Sequence, residues 1–489
     1  MNILLPLMSL LPLVAGCEPL PTVPTAPMIG APAEVAALIR LTADKAILTG
    51  STLQKTATGY TGAGYAGDFV PEGAKMVWTV PGAKPGIYEV RIRYKTIGGQ
   101  KGYDLSVNGK KSSGMFAEAA AFTTIPGGKV ELKTGENTVA IERGWGYFQI
   151  DSVELTPAKP APPLKAVTAK LSDPRATPAT QAMYDLLRRN YGKGTLSGQA
   201  QIPDSKYVQE TIGETPAVQG GDFIEYSPTR LAKGSDPKNE VESMIAAAKA
   251  GQLITMLWHW NAPNGILDAP YTDKSGKKID AHWYFGFYTT STTFDLEKTL
   301  ADPKSAEYAL MLRDIDAIAL QMKKFSDAGV PVLFRPLHEA EGGWFWWGAK
   351  GPEPCKKLWR LLYDRMTVKH NLHNLIWVYS SGTDPNWYPG DDVVDVIGID
   401  QYPSDVSDPL STVWETLLAQ YGGRKMIALT EFGGVPDVAS MERYGVRWSY
   451  FASWQGKDLG PRRYSVPELT RLYKAPKVMN LKGLPKLKK

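Results

Sequence analysis

The sequence contains very little cysteine, with only Cys17 and Cys355 among 489 residues. Two cysteines exclude both a disulfide scaffold and a cysteine-rich zinc module. A long apolar run is also missing at the N-terminus, because the stretch from Ile3 to Ala15 is too short to span a bilayer. Glycine and proline are frequent but follow no strict repeat, which excludes collagen. With 43% hydrophobic and 21% charged residues, the composition is that of a globular protein.

Motifs for nicotinamide, flavin or nucleotide binding are absent from the sequence, and so are a Ser-His-Asp set and a cluster of metal ligands. We therefore expect catalysis without a cofactor. The net charge of +5 would favour an anionic partner, but Lys474–Lys489 holds six lysines and no acid. The rest of the chain is thus close to neutral, which suits an uncharged polysaccharide and argues against nucleic acid. Residues 476–489 are predicted to form a solvated basic tail.

Aromatic residues are plentiful, at 10% of the chain, with 14 tryptophans and 23 tyrosines. Such numbers exceed what a core uses and suggest flat platforms on which ligands stack. Tryptophan and tyrosine rings pack well against the apolar faces of pyranose sugars. The aromatic content is therefore stronger evidence for a carbohydrate ligand than the net charge is for any class of partner.

The N-terminal residues are typical of an export signal. The apolar stretch ends in Leu-Val-Ala-Gly-Cys, which resembles a bacterial lipobox and implies that Cys17 is lipidated after removal of residues 1–16. The segment before the apolar stretch lacks Lys and Arg, so an ordinary secretory signal with a chance cysteine is the alternative. Residues 17–34 are proline-rich and are predicted to form an extended tether. We expect an exported protein that is lipid-anchored in the bacterial cell envelope.

Two segments with different sequence patterns follow, separated by the proline-rich linker 157–166. Residues 35–156 carry short alternating runs such as Tyr88–Tyr94, and Val107-Asn108-Gly109-Lys110 is a hairpin signal. This pattern predicts an all-β sandwich of the jelly-roll kind. Residues 167–475 instead alternate apolar β-runs with helical stretches.

The second segment contains eight strand candidates, several of them near-continuous apolar runs as buried parallel strands require. They are Thr195–Gly198, Pro216–Gly220, Leu253–His259, Val330–His338, Asn374–Tyr379, Val394–Asp400, Lys425–Glu431 and Ser449–Trp454. Eight β/α units in about 300 residues predict an α/β TIM barrel. A doubly wound sheet is the alternative, but no glycine-rich phosphate fingerprint follows the first strand.

In such a barrel the chemistry lies at the C-terminal ends of the strands. The predicted ends carry His259 on strand three, His338 and Glu339 on strand four, Glu431 on strand seven, and several aromatic residues. A carboxylate at the end of an apolar strand is costly without a function, although a salt bridge between Glu339 and Arg335 is the alternative. Two carboxylates among aromatic platforms favour glycoside hydrolysis. Glu341 could contact substrate or be simply solvated.

The motifs in this segment resemble those of glycoside hydrolase family 26, whose members are mostly β-mannanases. The motifs are Gly194–Gln199, Gly221–Phe223, Trp258–Trp260, Tyr288–Asp295, Arg335–Gly348 and Thr430–Gly433. The resemblance implies a retaining double displacement, with Glu339 as general acid/base and Glu431 as nucleophile. The pKa of Glu339 should be raised by its apolar and aromatic neighbours so that it is protonated near neutral pH.

The same resemblance implies roles for five further residues. His338 would support the acid, and Tyr402 would hydrogen-bond the nucleophile. His259, Trp344 and Trp454 would line the cleavage subsite.

The first segment resembles carbohydrate-binding module family 35, through Gly59–Tyr65 and Gly144–Asp151. Such modules are β-sandwiches that often hold a structural calcium ion. One expected acid is replaced by Thr42, so Asp44 and Asp151 remain as calcium ligands. Trp145 and Tyr147 are candidates for stacking on sugar, or alternatively core residues of the last hairpin.

The sequence as a whole predicts a monomeric, exported β-1,4-mannanase that acts on mannan, glucomannan or galactomannan. Another β-glycanase, acting on mixed-linkage glucan or β-1,3-xylan, and a mannobiose-releasing exo-acting enzyme are the alternatives within enzymes. A non-catalytic glycan-binding lipoprotein is a third interpretation, but it would be expected to lack one of the two glutamates.

Overall fold

The chain forms an antiparallel β-sandwich followed by a closed parallel barrel, which confirms the predicted fold class. A computed structural model describes residues 38–67, 69–456, 459–460 and 463–485. These described residues belong to one compact unit. The export signal, the tether and Cys17 lie outside them. Among the described helices, none combines the length and the apolar character that crossing a membrane requires.

The sandwich consists of two facing sheets with the strand orders β3-β4-β11-β6-β9, with β1 paired to β11, and β2-β5-β10-β7-β8. Its strands are β1 Ile39–Thr42, β2 Ile47–Thr49, β3 Thr52–Gln54, β4 Tyr65–Gly67, β5 Lys75–Ala83, β6 Gly86–Thr96, β7 Lys101–Val107, β8 Lys110–Phe116, β9 Thr123–Leu132, β10 Gly135–Trp145 and β11 Phe148–Pro157. Alternation along β6 buries Val90 and Ile92 and leaves Arg91 exposed. The predicted hairpin is confirmed, since Asn108 and Gly109 take positive φ angles between β7 and β8.

The barrel closes in the order β13-β14-β15-β18-β19-β20-β21-β22, with every neighbouring pair parallel. These eight strands are β13 Gly198–Gln199, β14 Val218–Asp222, β15 Leu253–Leu257, β18 Val332–Arg335, β19 Leu375–Ser380, β20 Val396–Gln401, β21 Met426–Phe432 and β22 Phe451–Ser453. Short pairs lie outside it, β12 Thr195–Leu196 with β23 Val478–Met479 and β16 Tyr271–Thr272 with β17 Lys278–Ile279. The predicted first strand is therefore split between β12 and β13.

Ten helices accompany the barrel strands in the described chain. They are α1 Pro178–Asn190, α2 Ile202–Ile212, α3 Pro228–Leu231, α4 Glu240–Lys249, α5 Leu296–Ala301, α6 Ala306–Asp327, α7 Pro352–Asp364, α8 Ser411–Tyr421, α9 Val438–Arg443 and α10 Val466–Tyr473. Helix α6 shows why they form: Ser305 caps its first turn by accepting from the Tyr308 N–H, and Met311, Ile315 and Met322 face the core at helical spacing.

The predicted tail 476–489 is only partly a tail. The N–H of Thr195 donates to the carbonyl of Lys477 at 2.8 Å, and β23 then pairs with β12. The N–H of Leu481 donates to the carbonyl of Thr215 at 2.9 Å. The expectation of a solvated extension is thus wrong for residues 477–481, because their backbone groups pair with the barrel. Residues 486–489 lie outside the described chain.

The sandwich docks on the barrel through β9 and the first turns of α8. The N–H of Lys129 donates to Ser411 Oγ at 2.8 Å, and Lys129 Nζ pairs with Glu415 at 2.8 Å. Glu131 of the same strand pairs with Arg443. Helix α8 directly follows the loop after barrel strand β20, so the docking contacts hold the sandwich against one side of the barrel mouth.

Candidate active site

Glu339 lies in a tight turn beyond the end of β18. The strand ends at Arg335, so the expectation that it reaches His338 and Glu339 is wrong. Pro336 explains the early end, because it has no N–H with which to continue the ladder. Glu339 has a φ of +53°, and its N–H donates to the Ser380 carbonyl of the neighbouring strand at 2.9 Å. A positive φ in a glutamate is a conformation that the surrounding structure must enforce, as is common at active sites.

Glu431 lies inside β21 and is only 4% exposed. One of its carboxylate oxygens accepts from Tyr402 Oη at 2.7 Å, as predicted, and the other accepts from the Arg335 guanidinium. Both oxygens are therefore acceptors, which is the role of an ionised carboxylate. The arrangement orients this group towards the barrel mouth.

The sequence interpretation assigned no role in the site to Asp400 and the wrong carboxylate partner to Arg335. Arg335 is 2% exposed and donates to Asp400 at 2.8 Å as well as to Glu431, so the alternative of an Arg335–Glu339 salt bridge is not what forms. Asp400 also accepts from Thr430 Oγ at 2.6 Å. An arginine at the end of an apolar strand needs buried carboxylate partners, and that requirement was the available signal.

The two glutamates are close together. One oxygen each from Glu339, Asp400 and Glu431 lie within 4.8 Å of one another. Retaining glycosidases place their two carboxyl groups about 5–5.5 Å apart, whereas inverting enzymes need roughly 6.5–9.5 Å. Oxygens within 4.8 Å of one another agree with the closer spacing of the retaining enzymes. The same three acids would suit a metal ion, but the Arg335 guanidinium already supplies the positive charge to two of them.

The environment of Glu339 favours its protonated form. Burial raises the pKa of this carboxyl to about 8, and the negative charges of Asp400 and Glu431 act in the same direction. Arg335 and a hydrogen bond from Trp344 Nε1 at 3.1 Å oppose the shift but do not outweigh it. Glu339 can thus donate a proton near neutral pH.

His259 and His338 form a hydrogen-bonded pair anchored by Asp222. The Nδ1 atom of His259 lies 2.6 Å from Asp222 Oδ2, and its Nε2 atom lies 3.2 Å from His338 Nε2. Because the carboxylate can only accept, His259 Nδ1 donates to Asp222, and the two Nε2 atoms share a hydrogen bond in which one ring donates to the other. Burial lowers the pKa of His338 well below its usual value, so that ring is neutral. Asp222 lies in the Gly221–Phe223 motif, but nothing in the sequence assigned it a role; the structure shows that it orients the His259 ring.

Glycine residues make room for two of the aromatic rings. A Cβ on Gly342 would overlap the Trp344 ring, and a Cβ on Gly433 would overlap the Tyr402 ring. The glycines in the Glu-Gly-Gly-Trp and Phe-Gly-Gly segments therefore serve to seat these rings. Trp344 and Tyr402 remain 46% and 49% exposed, so both are available to a ligand.

A cavity of about 640 Å³ opens on one side of the carboxylates. Among its lining residues are His259 and Trp454, both predicted for the cleavage subsite, and also Asp222, Tyr284 and Tyr288. Small-ligand pockets range from about 300 to 1,000 Å³, so the space accommodates more than one sugar.

Glu341 does not point at the catalytic pair. One of its carboxylate oxygens accepts from the Asp384 N–H at 3.1 Å, and the other side of the turn is held by a bond from its own N–H to Ser381 Oγ at 2.8 Å. The sequence left open whether Glu341 contacts substrate or is simply solvated, and the structure shows a third role for it. Glu341 joins the acid-bearing turn to the loop after β19.

The binding-module candidates lie at the hairpin between β10 and β11. Trp145 and Tyr147 are 49% and 47% exposed, so neither is a core residue. Lys101 Nζ lies 5.3 Å from the centre of the Tyr147 ring. Two accessible rings at one end of the sandwich are suited to contact with sugar.

Of the two predicted calcium ligands, Asp151 is already engaged by other groups, whereas Asp44 Oδ1 is buried without a hydrogen-bond partner among the described residues. Asp151 is fully buried and pairs with Arg93 Nε at 3.0 Å. It also accepts from the Thr61 N–H at 2.7 Å and from Thr61 Oγ at 2.9 Å. Asp44 is next to Lys45, 3.6 Å away. Calcium takes six to eight oxygen ligands with sufficient negative charge, and here the positive charge beside Asp151 is that of the Arg93 guanidinium.

Comparison with known proteins agrees with this geometry. A sequence model of glycosyl hydrolase family 26 matches residues 172–483, and one of carbohydrate binding module family 35 matches residues 39–158. The chain is 41% identical over 431 residues to a mannan endo-1,4-β-mannosidase of Thermothelomyces thermophilus, covering 88% of this chain and 86% of that protein. It is 34% identical to mannan endo-1,4-β-mannosidase B of a Piromyces species, covering 91% and 76%.

Solved structures give the same result. The crystal structure of a Podospora anserina GH26-CBM35 β-(1,4)-mannanase is 41% identical and superposes with a TM-score of 0.64, covering 91% of this chain and 98% of that one. A ruminal GH26 endo-β-1,4-mannanase is 27% identical with a TM-score of 0.66, covering 93% and 99%.

Proposed function

Because the chain belongs to glycosyl hydrolase family 26, with a family 35 carbohydrate binding module before the catalytic domain, we propose that it is a retaining endo-1,4-β-mannanase in which Glu431 is the nucleophile and Glu339 the acid/base. The observation that carries this assignment is a pair of carboxyl groups with one oxygen of each within 4.8 Å of the other; one group is buried against an arginine, and the other has a raised pKa. Mannan is supported as the substrate by the relatives named above, which are mannanases.

In the first step Glu431 attacks the anomeric carbon while Glu339 gives its proton to the departing glycosidic oxygen. The C–O bond to the leaving sugar breaks, and an ester bond forms between Glu431 and the retained sugar. Arg335 and Tyr402 hold the attacking carboxylate in place. The His338 ring, whose pKa is lowered by burial, borders the site without adding a positive charge beside the acid.

In the second step Glu339 acts as a base instead of an acid, and the loss of the charge on Glu431 accounts for this change. The charge of Glu431 raises the pKa of Glu339. Esterification removes that charge, so the pKa of Glu339 falls and its carboxylate becomes able to take a proton from water. The resulting hydroxide equivalent attacks the anomeric carbon, the ester bond breaks, and the sugar leaves with its original configuration.

The substrate assignment is tested by measuring reducing sugar released from β-mannan, mixed-linkage β-glucan and β-1,3-xylan. We expect reducing sugar to be released from mannan, and to different extents from glucomannan and galactomannan. NMR of the products should show that the anomeric configuration is retained. Release from glucan or xylan alone would replace mannanase by another β-glycanase. No release from any of the three would favour a glycan-binding protein without activity.

The raised pKa of Glu339 predicts the basic limb of the pH profile. Below about pH 8 the acid is protonated, so kcat/KM on mannan should be maintained there and fall as pH rises through that value. Since Asp400 contributes to the rise, Asp400→Asn should shift the basic limb to lower pH. The check is kcat/KM measured from pH 5 to pH 10 for both proteins. A limb that stays in place or moves upward in the variant would contradict this electrostatic account.

For the binding module we propose that no calcium ion is required, because Arg93 neutralises Asp151. Chelation with EDTA or addition of calcium chloride should then leave the melting temperature unchanged. Arg93→Ala should destabilise the sandwich by about 3 kcal/mol, because it leaves a buried carboxylate without its partner. Differential scanning calorimetry of the full chain measures both effects. Arg40→Ala is the matched control, since the pair of Arg40 with Glu154 lies at the surface.

We also propose that the protein is exported and lipid-anchored in a bacterial envelope through Cys17, and that it is a monomer. The support is the apolar N-terminal run ending in Leu-Val-Ala-Gly-Cys. Cys17→Ala should move the protein from the membrane fraction to the soluble exported fraction and abolish labelling by radioactive palmitate. Unchanged membrane association would leave the ordinary secretory signal as the better interpretation.

A further inference from the structure

A second cavity, of about 330 Å³, lies between the sandwich and the barrel. Asp104 of β7 and Ser113 of β8 line it from the sandwich. From the barrel it is lined by the segment after β20, which includes Tyr402 and Asp408. Since Tyr402 is hydrogen-bonded to Glu431, this cavity adjoins the catalytic centre. Its volume lies at the lower end of the range for small-ligand pockets, which is room for about one sugar unit.

The cavity lies where a polysaccharide that crosses the barrel mouth would pass. The larger cavity lies over β13, β14, β15 and β22, and the second one lies at β20, the strand opposite β14 in the closed order. A line from β14 to β20 passes between β18, which leads to Glu339, and β21, which carries Glu431. The resemblance to family 26 assigns His259 and Trp454, which line the larger cavity, to the subsite of the sugar under attack. The second cavity therefore lies on the leaving-group side.

The walls of the second cavity are polar and preorganised. Ser113 Oγ donates to Asp104 Oδ1 at 2.6 Å, so the carboxylate and hydroxyl are held side by side. On the barrel side Asp408 is only 7% exposed, and its Oδ1 accepts from the Leu410 N–H at 2.8 Å. Carboxylates that accept from neighbouring hydroxyls are a chemistry suited to a neutral hexose and unsuited to an anionic ligand.

The two walls are held at a fixed distance by the docking contacts. The segment from Tyr402 leads directly into α8, and Lys129 of the sandwich binds the first two turns of α8 through Ser411 Oγ and Glu415. The sandwich residues at the cavity are thus placed by the same element that positions the barrel wall. A subsite built from both domains needs this rigidity.

The outer face of the sandwich sheet extends the path further. The Trp145 ring lies over Gly102, where a Cβ would overlap it, and Gly102 is two residues from Asp104 on the same face of β7. Two residues along a strand correspond to about 7 Å. An accessible ring therefore follows the cavity at a spacing comparable to one sugar.

We propose that this cavity is a sugar-binding subsite on the leaving-group side, in which Asp104 and Ser113 of the binding module bind a β-linked hexose of the same polysaccharide that the barrel cleaves. The module thus extends the catalytic cleft and is not a separate attachment site. This inference rests on the proposed function, since it assumes that the chain is cleaved between Glu339 and Glu431.

The test uses the full chain with Asp104→Ala, Ser113→Ala and, as a matched control, Glu89→Ala, which removes an exposed carboxylate from the other sheet. Each protein is assayed on mannohexaose and on 2,4-dinitrophenyl β-mannobioside, which places no sugar on the leaving-group side. We expect kcat/KM on the hexaose to fall about tenfold in Asp104→Ala and severalfold in Ser113→Ala. On the dinitrophenyl substrate both should stay within twofold of wild type, and Glu89→Ala should match wild type on both.

Cleavage positions in reducing-end-labelled hexaose provide a second measurement. Loss of a leaving-side subsite should move the preferred cleavage point towards the reducing end. An unchanged cleavage pattern with an unchanged ratio of the two kcat/KM values would overturn the subsite while leaving the mannanase assignment intact. An equal fall on both substrates would also overturn it, because it would indicate a structural effect. Failure of the wild-type protein to cleave either substrate would instead overturn the proposed function.

Discussion

Replacing Glu431 with alanine is expected to lower kcat/KM on mannan by about 10⁴-fold or more, because the nearby Asp400 carboxylate is held by Arg335 and Thr430 and cannot replace it as nucleophile. Arg335 would retain Asp400 as a partner, so the barrel should still fold. Added azide should partly restore turnover of 2,4-dinitrophenyl β-mannobioside. Since azide would enter from the face that the carboxylate has vacated, the product should be the α-glycosyl azide, which NMR identifies.

Two controls separate loss of chemistry from loss of structure. Glu431→Gln keeps an oxygen that can accept from Arg335, so its melting temperature should be close to that of wild type while its activity is as low as that of the alanine variant. Circular dichroism of both variants checks the fold. Near-wild-type hydrolysis by either one, or formation of the β-glycosyl azide, would remove Glu431 from the role of nucleophile.

The fold was predictable because the barrel strands are buried on both sides. Within the predicted strand Lys425–Glu431, the run Met426–Leu429 is apolar on both faces, so it indicates a buried parallel strand without knowledge of its neighbours. The ends of the strands were harder to predict than the strands themselves. The predicted strand Val330–His338 runs past Pro336, although a proline without an N–H is a sequence signal for the end of a strand, and the turn at Glu339 became visible only in the backbone. The two glutamates were nevertheless found, because a carboxylate next to an apolar run is conspicuous at either position.

Partners across the barrel mouth could not be predicted from the sequence. Arg335 bonds to Glu431, 96 residues away, and only closure of the barrel brings them together. The sandwich wall of the second cavity depends in the same way on the bond from Lys129 to Ser411, which are 282 residues apart. The sequence identifies residue types that require partners, but long-range pairing decides which partner each one finds.

Replacing Glu339 with alanine is expected to have an effect that depends on the leaving group. On mannan kcat/KM should fall about 10²–10⁴-fold, because the departing sugar oxygen needs a proton. Dinitrophenolate leaves without one, so with 2,4-dinitrophenyl β-mannobioside the glycosyl-enzyme should form at a near-normal rate and accumulate. The measurement is a burst of dinitrophenol followed by a slow steady state, because the base of the second step is also missing.

Azide then distinguishes the two glutamates by stereochemistry. As an anion it needs no general base, so it should accelerate the slow step of Glu339→Ala and attack the ester from the side of the absent carboxylate, giving the β-glycosyl azide. Glu431→Ala gives the opposite anomer because only one displacement occurs. Trp344→Phe, which removes the indole donor but leaves the acid, is the matched control and should show neither burst nor azide rescue. An α-azide from Glu339→Ala, or equal losses on both substrates, would contradict the assignment, since a residue that transfers a proton to the leaving group must matter less as that group becomes a weaker base.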